Sequence, residues 1–349
     1  MTSAAFRAPW WARSPHLQTL WGPLLRRTGA PARRRETLPL ADGDYLLLDW
    51  CGPAPDGQLP VLLLQHGLSG SSDSHYIIGI QRRLLALGLP SVAANGRGAL
   101  VPNDTARSYH AGEIDDLNAV IEHVHARAKG APVLALGVSL GASRLLNWLA
   151  LADSGKLAGA LAICAPLQLA NSADHMDQGF SRIYRNHLIK ALLATLDAQE
   201  RHLHKVNPEQ AAILAGLDRT GIRSFWDFDG RIVAPLYGFR DAADYYAQCS
   251  AGTRLGAIDT PTWLLQARDD PFMTEASLPR QQDLSDAVTL EVAEHGGHVG
   301  FVQGSIRRPH YWLEQRAEVF VRAFSSDHQS VPAERHQRRR DDFTASAPR

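Results

Sequence analysis

The chain has little cysteine, no excess of either charge, and no apolar run long enough to cross a bilayer. Its three cysteines, Cys51, Cys164 and Cys249, are far apart in 349 residues and fall in no CxxC or Cys/His spacing. That excludes a disulfide framework and a cysteine-based metal site. It suits small buried thiols in a reducing, cytoplasmic setting. Lys plus Arg and Asp plus Glu both total 36, so no net field draws the chain to nucleic acid. The longest apolar run, LAGALAICAPLQLA from Leu157, is broken by Pro166 and falls short of the roughly 20 residues of a membrane span. Arg7, Pro9, Arg13, Pro15 and His16 interrupt any signal-peptide core at the N-terminus, so secretion is not indicated.

What is present is enough apolar material for a sizeable core, 45% of residues, arranged in alternating periods. Short apolar runs bounded by Gly and Pro read as strands: Asp44 to Trp50, Pro60 to His66, Leu89 to Asn95, APVLALG, LAGALAICAP, Thr260 to Ala267, and AVTLEVAEHG from Ala287. Between them lie helical periods. Ile77, Ile80, Leu84 and Leu87 share one face, and so do Ile114, Leu117, Val120, Ile121 and Val124. SLGASRLLNWLALA is apolar on nearly every side and predicts a buried helix. Strands alternating with helices predict a doubly wound α/β sandwich with a mostly parallel sheet, whose functional residues follow the carboxyl ends of strands.

The alternation lapses from 168 to 246, where helical patterns and the aromatic stretch SFWDFDGRIVAPLYGF replace strands. This predicts a helical cap inserted into a discontinuous core of residues 1–167 and 247–325. Trp226, Phe228, Tyr237 and Phe239 are expected to pack it, with some lining a channel. Residues 326–349 are charged and nearly devoid of apolar side chains, and predict a disordered tail.

GVSLG follows the strand PVLAL and opens a helix. A nucleophile elbow requires that context: the tight turn holds Ser139 in a strained conformation, and Gly137 and Gly141 leave room around it. A serine hydroxyl needs a base and something to orient the base. ARDDPF ends one strand with Asp269 and Asp270, and EHGGHVGF ends the next with His295 and His298. His298 is preferred because Gly296 and Gly297 let the loop return it to the sheet edge; Asp270 is preferred because it precedes Pro271, where a loop departs. His295 and Asp269 remain the alternatives. The order Ser, Asp, His is that of α/β-hydrolases. The strand ending in His66-Gly67 places the N–H of Leu68 near the serine. With the N–H of Leu140 it would make an oxyanion hole.

The chain resembles the YheT-like branch of the α/β-hydrolases, AB hydrolase family 4, through SPHLQTLWGPLLRR, QHGLSGSSDSHY, RSYHAGEIDDL, GVSLGAS, GFRDAADYYAQCSA, ARDDPFM, EHGGHVGF and YWLEQR. PHLQTL and YHAGE are specific to that branch. The resemblance implies an α/β-hydrolase fold, Ser139, Asp270 and His298 as triad, carboxylic or lipid acyl ester substrates, and no cofactor. Val138, Ala142-Ser143, Gly96 and Ala99-Leu100 depart from the relatives' pattern beside the acyl pocket.

Other features carry less. Arg97, His110, Glu113 and Asp116 are expected to form a buried polar network behind the site. His123 and His125, like His202 and His204, are two apart on helices and face different ways, so no metal site is expected. Trp10, Trp11, Leu17, Leu20, Trp21, Leu24 and Leu25 read as a segment folded onto the surface, with peripheral membrane contact as the alternative. Three functions fit: a serine esterase, an acyltransferase using the same acyl-enzyme, and a non-catalytic ligand-binding protein on the same fold.

Overall fold

A computed structural model describes residues 5–152 and 154–326. The tail expected beyond residue 325 lies outside the described residues, apart from Ser326.

Eight strands form one sheet: β1 (Arg34–Pro39), β2 (Tyr45–Cys51), β3 (Val61–Gln65), β4 (Ser91–Asn95), β5 (Val133–Val138), β6 (Gly159–Ile163), β7 (Thr262–Ala267) and β8 (Val288–Ala293). Their spatial order is 1-2-4-3-5-6-7-8. β2 runs antiparallel to β1 and β4, and every other pairing is parallel. β3, β5 and β6 are buried at every position, which is why they read as unbroken apolar runs rather than as alternations. β1, RRETLP, is an exposed edge strand whose polar residues carry no apolar signal. It went unread in the sequence, as did the hairpin of β9 (Val302–Ser305) and β10 (Arg308–Tyr311).

The crossover connections put helices on both faces. α1 (Pro15–Leu25) precedes the sheet; α2 (His75–Ala86) joins β3 to β4, α3 (Asp115–Arg127) joins β4 to β5, and α4 (Leu140–Leu151) joins β5 to β6. Val120 and Ile121 of α3 pack one face together with Leu145 and Trp148 of α4. Ile77, Ile80 and Leu84 of α2 cover the other, beside Leu313 and Phe320 from the last helix.

Between β6 and β7 the chain runs through helices only: α5 (Leu169–Met176), α6 (Ser181–Val206), α7 (Pro208–Ala215), α8 (Phe225–Phe228), α9 (Ala234–Tyr237) and α10 (Ala242–Cys249). α11 (Trp312–Ser326) closes the described chain. α8 and α9 are joined by a π-helical turn, Asp229–Val233. Pro235 follows that turn and has no N–H to continue an α-helical ladder. Ile189, Ile222, Phe228 and Ile232 of this layer pack on Leu140 and Ala111 of the core.

Candidate active site

Because six strands are parallel, the ends of β3, β5, β7 and β8 open on one edge of the sheet. Ser139 sits between β5 and α4 with φ +54° and ψ −123°, a strained conformation for a residue other than glycine. The turn is held by Ser139 N–H donating to Ile163 O at 2.8 Å. Its glycines are steric necessities: a Cβ at Gly137 would meet the backbone of Gly141 and Ala142, and one at Gly141 would meet the carbonyls of His66 and Gln65.

His298 and Asp270 come to this serine. His298 Nδ1–H donates to Asp270 Oδ2 at 2.8 Å, which leaves Nε2 to accept from the Ser139 hydroxyl at 2.8 Å. The other carboxylate oxygen of Asp270 accepts Phe272 N–H at 2.8 Å. The Phe272 ring stacks on the imidazole, 3.9 Å between centroids and 6° from parallel. The neighbouring acid and histidine form a separate pair. Asp269 Oδ1 accepts the N–H groups of Gly296 and Gly297, both at 2.9 Å, and its Oδ2 lies 3.4 Å from His295 Nδ1. Asp269 thus ties down the loop that carries His298. Gly297 has φ +56°, where a side chain would be strained.

The loop after β3 is clamped on both sides. Gly67 N–H donates to the Tyr76 hydroxyl at 3.0 Å, while Gly67 O accepts Gly70 N–H at 3.1 Å and lies 3.5 Å from the Tyr109 hydroxyl. Between them the N–H of Leu68 has no partner among the described residues, and neither has that of Leu140. His66 is buried, with Nδ1–H donating to Gly67 O at 2.8 Å and Nε2 accepting Gly96 N–H at 3.0 Å. That arrangement requires a neutral imidazole, and burial lowers its pKa to about 4.

Support for His298 also comes from the N-terminal segment. Its N–H donates to Thr19 Oγ1 at 2.9 Å, while Gln18 brackets Val302 through both its N–H and its carbonyl. Trp11 and Trp21 pack on each other and Trp11 Nε1–H reaches Gly304 O, whereas Trp10, Leu24 and Leu25 stay exposed. No helix among the described residues is long and apolar enough to cross a membrane.

The polar network is divided differently from the sequence expectation. Arg97 forks onto Asp116 and also pairs with Asp42 and Asp44. Asp116 N–H meets Glu113, which pairs with Arg144. His110 stands apart, ringed by Tyr237, Phe239 and Tyr245, and burial lowers its pKa to about 3. The rings come from the helical insertion, whose approach is invisible in local sequence.

Ser139, His298, Leu68 and Leu140 line one cavity of about 200 Å³, closed by apolar side chains of α5, α6, α8 and the π turn. Cys164 places its sulfur with donor atoms of Asp270 and His298 inside 4.8 Å. Burial, with Asp270 adding to it, pushes that thiol well up, so a thiolate ligand is disfavoured; Asp270 and His298 already bind each other.

Residues 60–305 match the alpha/beta hydrolase fold family. The chain is 35% identical over 304 residues to Escherichia coli YheT, named as an esterase, covering 86% of this chain and 88% of that one. It is 28% identical over 322 residues to the phospholipase ABHD3 of Mus musculus, covering 90% and 77%. Among solved structures, an esterase from Pyrococcus furiosus superposes with TM-score 0.51 at 15% identity, covering 93% and 97%, a likeness of fold alone. The chain belongs to the α/β-hydrolase family, in the branch of YheT.

Proposed function

We propose that the chain is a carboxylic ester hydrolase that works through an acyl-enzyme on Ser139. The observation that carries this reading is the pair of 2.8 Å bonds from His298 to Ser139 and to Asp270, at the wall of an apolar cavity. Ser139 Oγ attacks the ester carbonyl carbon as its proton passes to His298 Nε2. Asp270 holds the Nδ1–H tautomer and stabilises the imidazolium. Negative charge moves to the carbonyl oxygen, where the unpartnered N–H groups of Leu68 and Leu140 receive it; losing one such donor typically costs about 3 kcal/mol. His298 then protonates the departing alcohol. Water, deprotonated by the same imidazole, attacks the acyl-enzyme, and Ser139 Oγ leaves with the proton.

The helices between β6 and β7 act as a cap that encloses the acyl chain, and the apolar cavity favours uncharged or lipid-like esters. A fluorophosphonate probe should label Ser139 in the native protein and fail on Ser139→Ala, and p-nitrophenyl acyl esters should show burst kinetics. Folded protein that takes up no label would overturn the reading.

A further inference from the structure

Ester cleavage leaves one group in the cavity unused. Asp229, on the π turn between α8 and α9, is the one carboxylate among the residues lining the space that holds Ser139. Its Oδ2 accepts the Tyr246 hydroxyl at 2.6 Å. Oδ1 has no partner among the described residues, yet neighbouring atoms do not seal it off. The wall beside it is apolar, with Phe228, Ile232 and Val233 buried. No cation among the described residues pairs with it; Arg97, in the same lining, is spent on Asp42, Asp44 and Asp116. A carboxyl with an open oxygen in apolar surroundings is costly unless a ligand completes it. Interruptions of this kind in a helix concentrate at functional positions.

We propose that Asp229 and Tyr246 are a specificity device that selects esters whose chain carries a hydroxyl group over plain alkyl esters. This rests on the serine-esterase reading and narrows its substrate class. The hydroxyl donates to Oδ1 of the ionised carboxylate, or accepts from the carboxyl proton, so the contact survives titration of the acid. Burial raises the pKa of Asp229 to about 7, against the pull of the Tyr246 bond, so both forms occur near neutrality. Tyr245 and Tyr246 both feel its charge, and Arg231, two residues along the same turn, is paired with Asp218 and Asp227. A plain alkyl chain would strip water from Oδ1 and give nothing back. An ammonium would share the enclosure with Arg97 and Arg107, which also line it; a hydroxyl brings no charge.

The test compares kcat/KM for p-nitrophenyl alkanoates with their ω-hydroxy counterparts from four to ten carbons. At one chain length the hydroxy ester should be favoured about tenfold or more, and Asp229→Leu should reverse that preference while Tyr246→Phe reduces it several-fold. A ratio near one at every length, a ratio unchanged in Asp229→Leu, or a preference for ω-amino esters would overturn the proposal. Calorimetry on Ser139→Ala separates this from the catalytic reading: an α,ω-diol should bind at least tenfold more tightly than the 1-alkanol of equal length, and equal affinities would sink the proposal even if no ester is turned over. Hydrolysis without selectivity refutes the device alone; absent labelling of Ser139 refutes the esterase.

Discussion

Thr19 Oγ1 accepts the backbone N–H of His298 at 2.9 Å, across 279 residues of sequence, and donates its own proton to Pro15 O. The first helix therefore fixes the loop of the histidine that meets Ser139. Thr19→Val keeps the shape and removes the acceptor, leaving a part-buried N–H unpaired at roughly 1–3 kcal/mol. kcat/KM for p-nitrophenyl esters should fall about tenfold or more while circular dichroism stays native. An unchanged rate would remove Thr19 from the support of His298.

Asp269 and Asp270 separate by role. Asp270→Asn forces the wrong imidazole tautomer and should lower kcat by about 10⁴. Asp269→Asn keeps an oxygen for Gly296 and Gly297 and only weakens their bonds, so the fall should stay within about tenfold. Steady-state kinetics on the two variants distinguishes them, and equal losses would contradict the assignment.

Strain at Ser139 predicts a stability gain on its removal. Ser139→Gly relaxes the positive φ and should raise the unfolding free energy by about 1–3 kcal/mol in urea while abolishing turnover. Gly141→Ala should go the other way, because its Cβ has nowhere to go but into the carbonyls of His66 and Gln65. Soluble, native Gly141→Ala with an unshifted midpoint would show that the elbow is looser than drawn.

Stability should depend on pH through buried neutral groups of opposite sign. Burial lowers His66, His75 and His110 from 6.5 to about 4, about 4 and about 3. Unfolded, each takes up its proton near 6.5, so their contribution is full above that pH and is lost as pH falls toward 4. Asp229 runs in reverse: raised from 3.8 to about 7, its contribution is full below 3.8 and lost as pH rises through 7. Asp229→Asn should therefore raise the urea midpoint at pH 8, by an amount that shrinks as pH falls toward 4, with the acid limb unaltered. A gain of the same size at every pH would refute the raised carboxyl.

The ends of β5, β7 and β8 could be read from sequence because a parallel sheet presents all its carboxyl ends on one edge. Strand, motif and chain order then suffice to bring Ser139, Asp270 and His298 together. Two adjacent acids and two nearby histidines were harder to part; the carboxylate of Asp269 turns to its own loop's N–H groups, a choice no spacing encodes. Thr19, Tyr76 and Tyr109 lie in stretches shared with the family, yet their roles could not be read, because each acts through a backbone group of another element. His110 looked like a member of the Arg97 network because it lies between them in the chain, yet rings from α9 and α10 enclose it. β1 escaped notice for want of apolar residues, its place being secured by hydrogen bonds to β2.

The dependence of His298 on Thr19 and Gln18 has a kinetic meaning. Contacts spanning nearly the whole described chain hold the loop of the imidazole, and closing contacts so distant in sequence slows folding. A partly folded chain would hold Ser139 as an ordinary, unreactive alcohol. Reaction with an electrophilic probe would then report the final docking of the first helix against the last core loop, and could be timed as such.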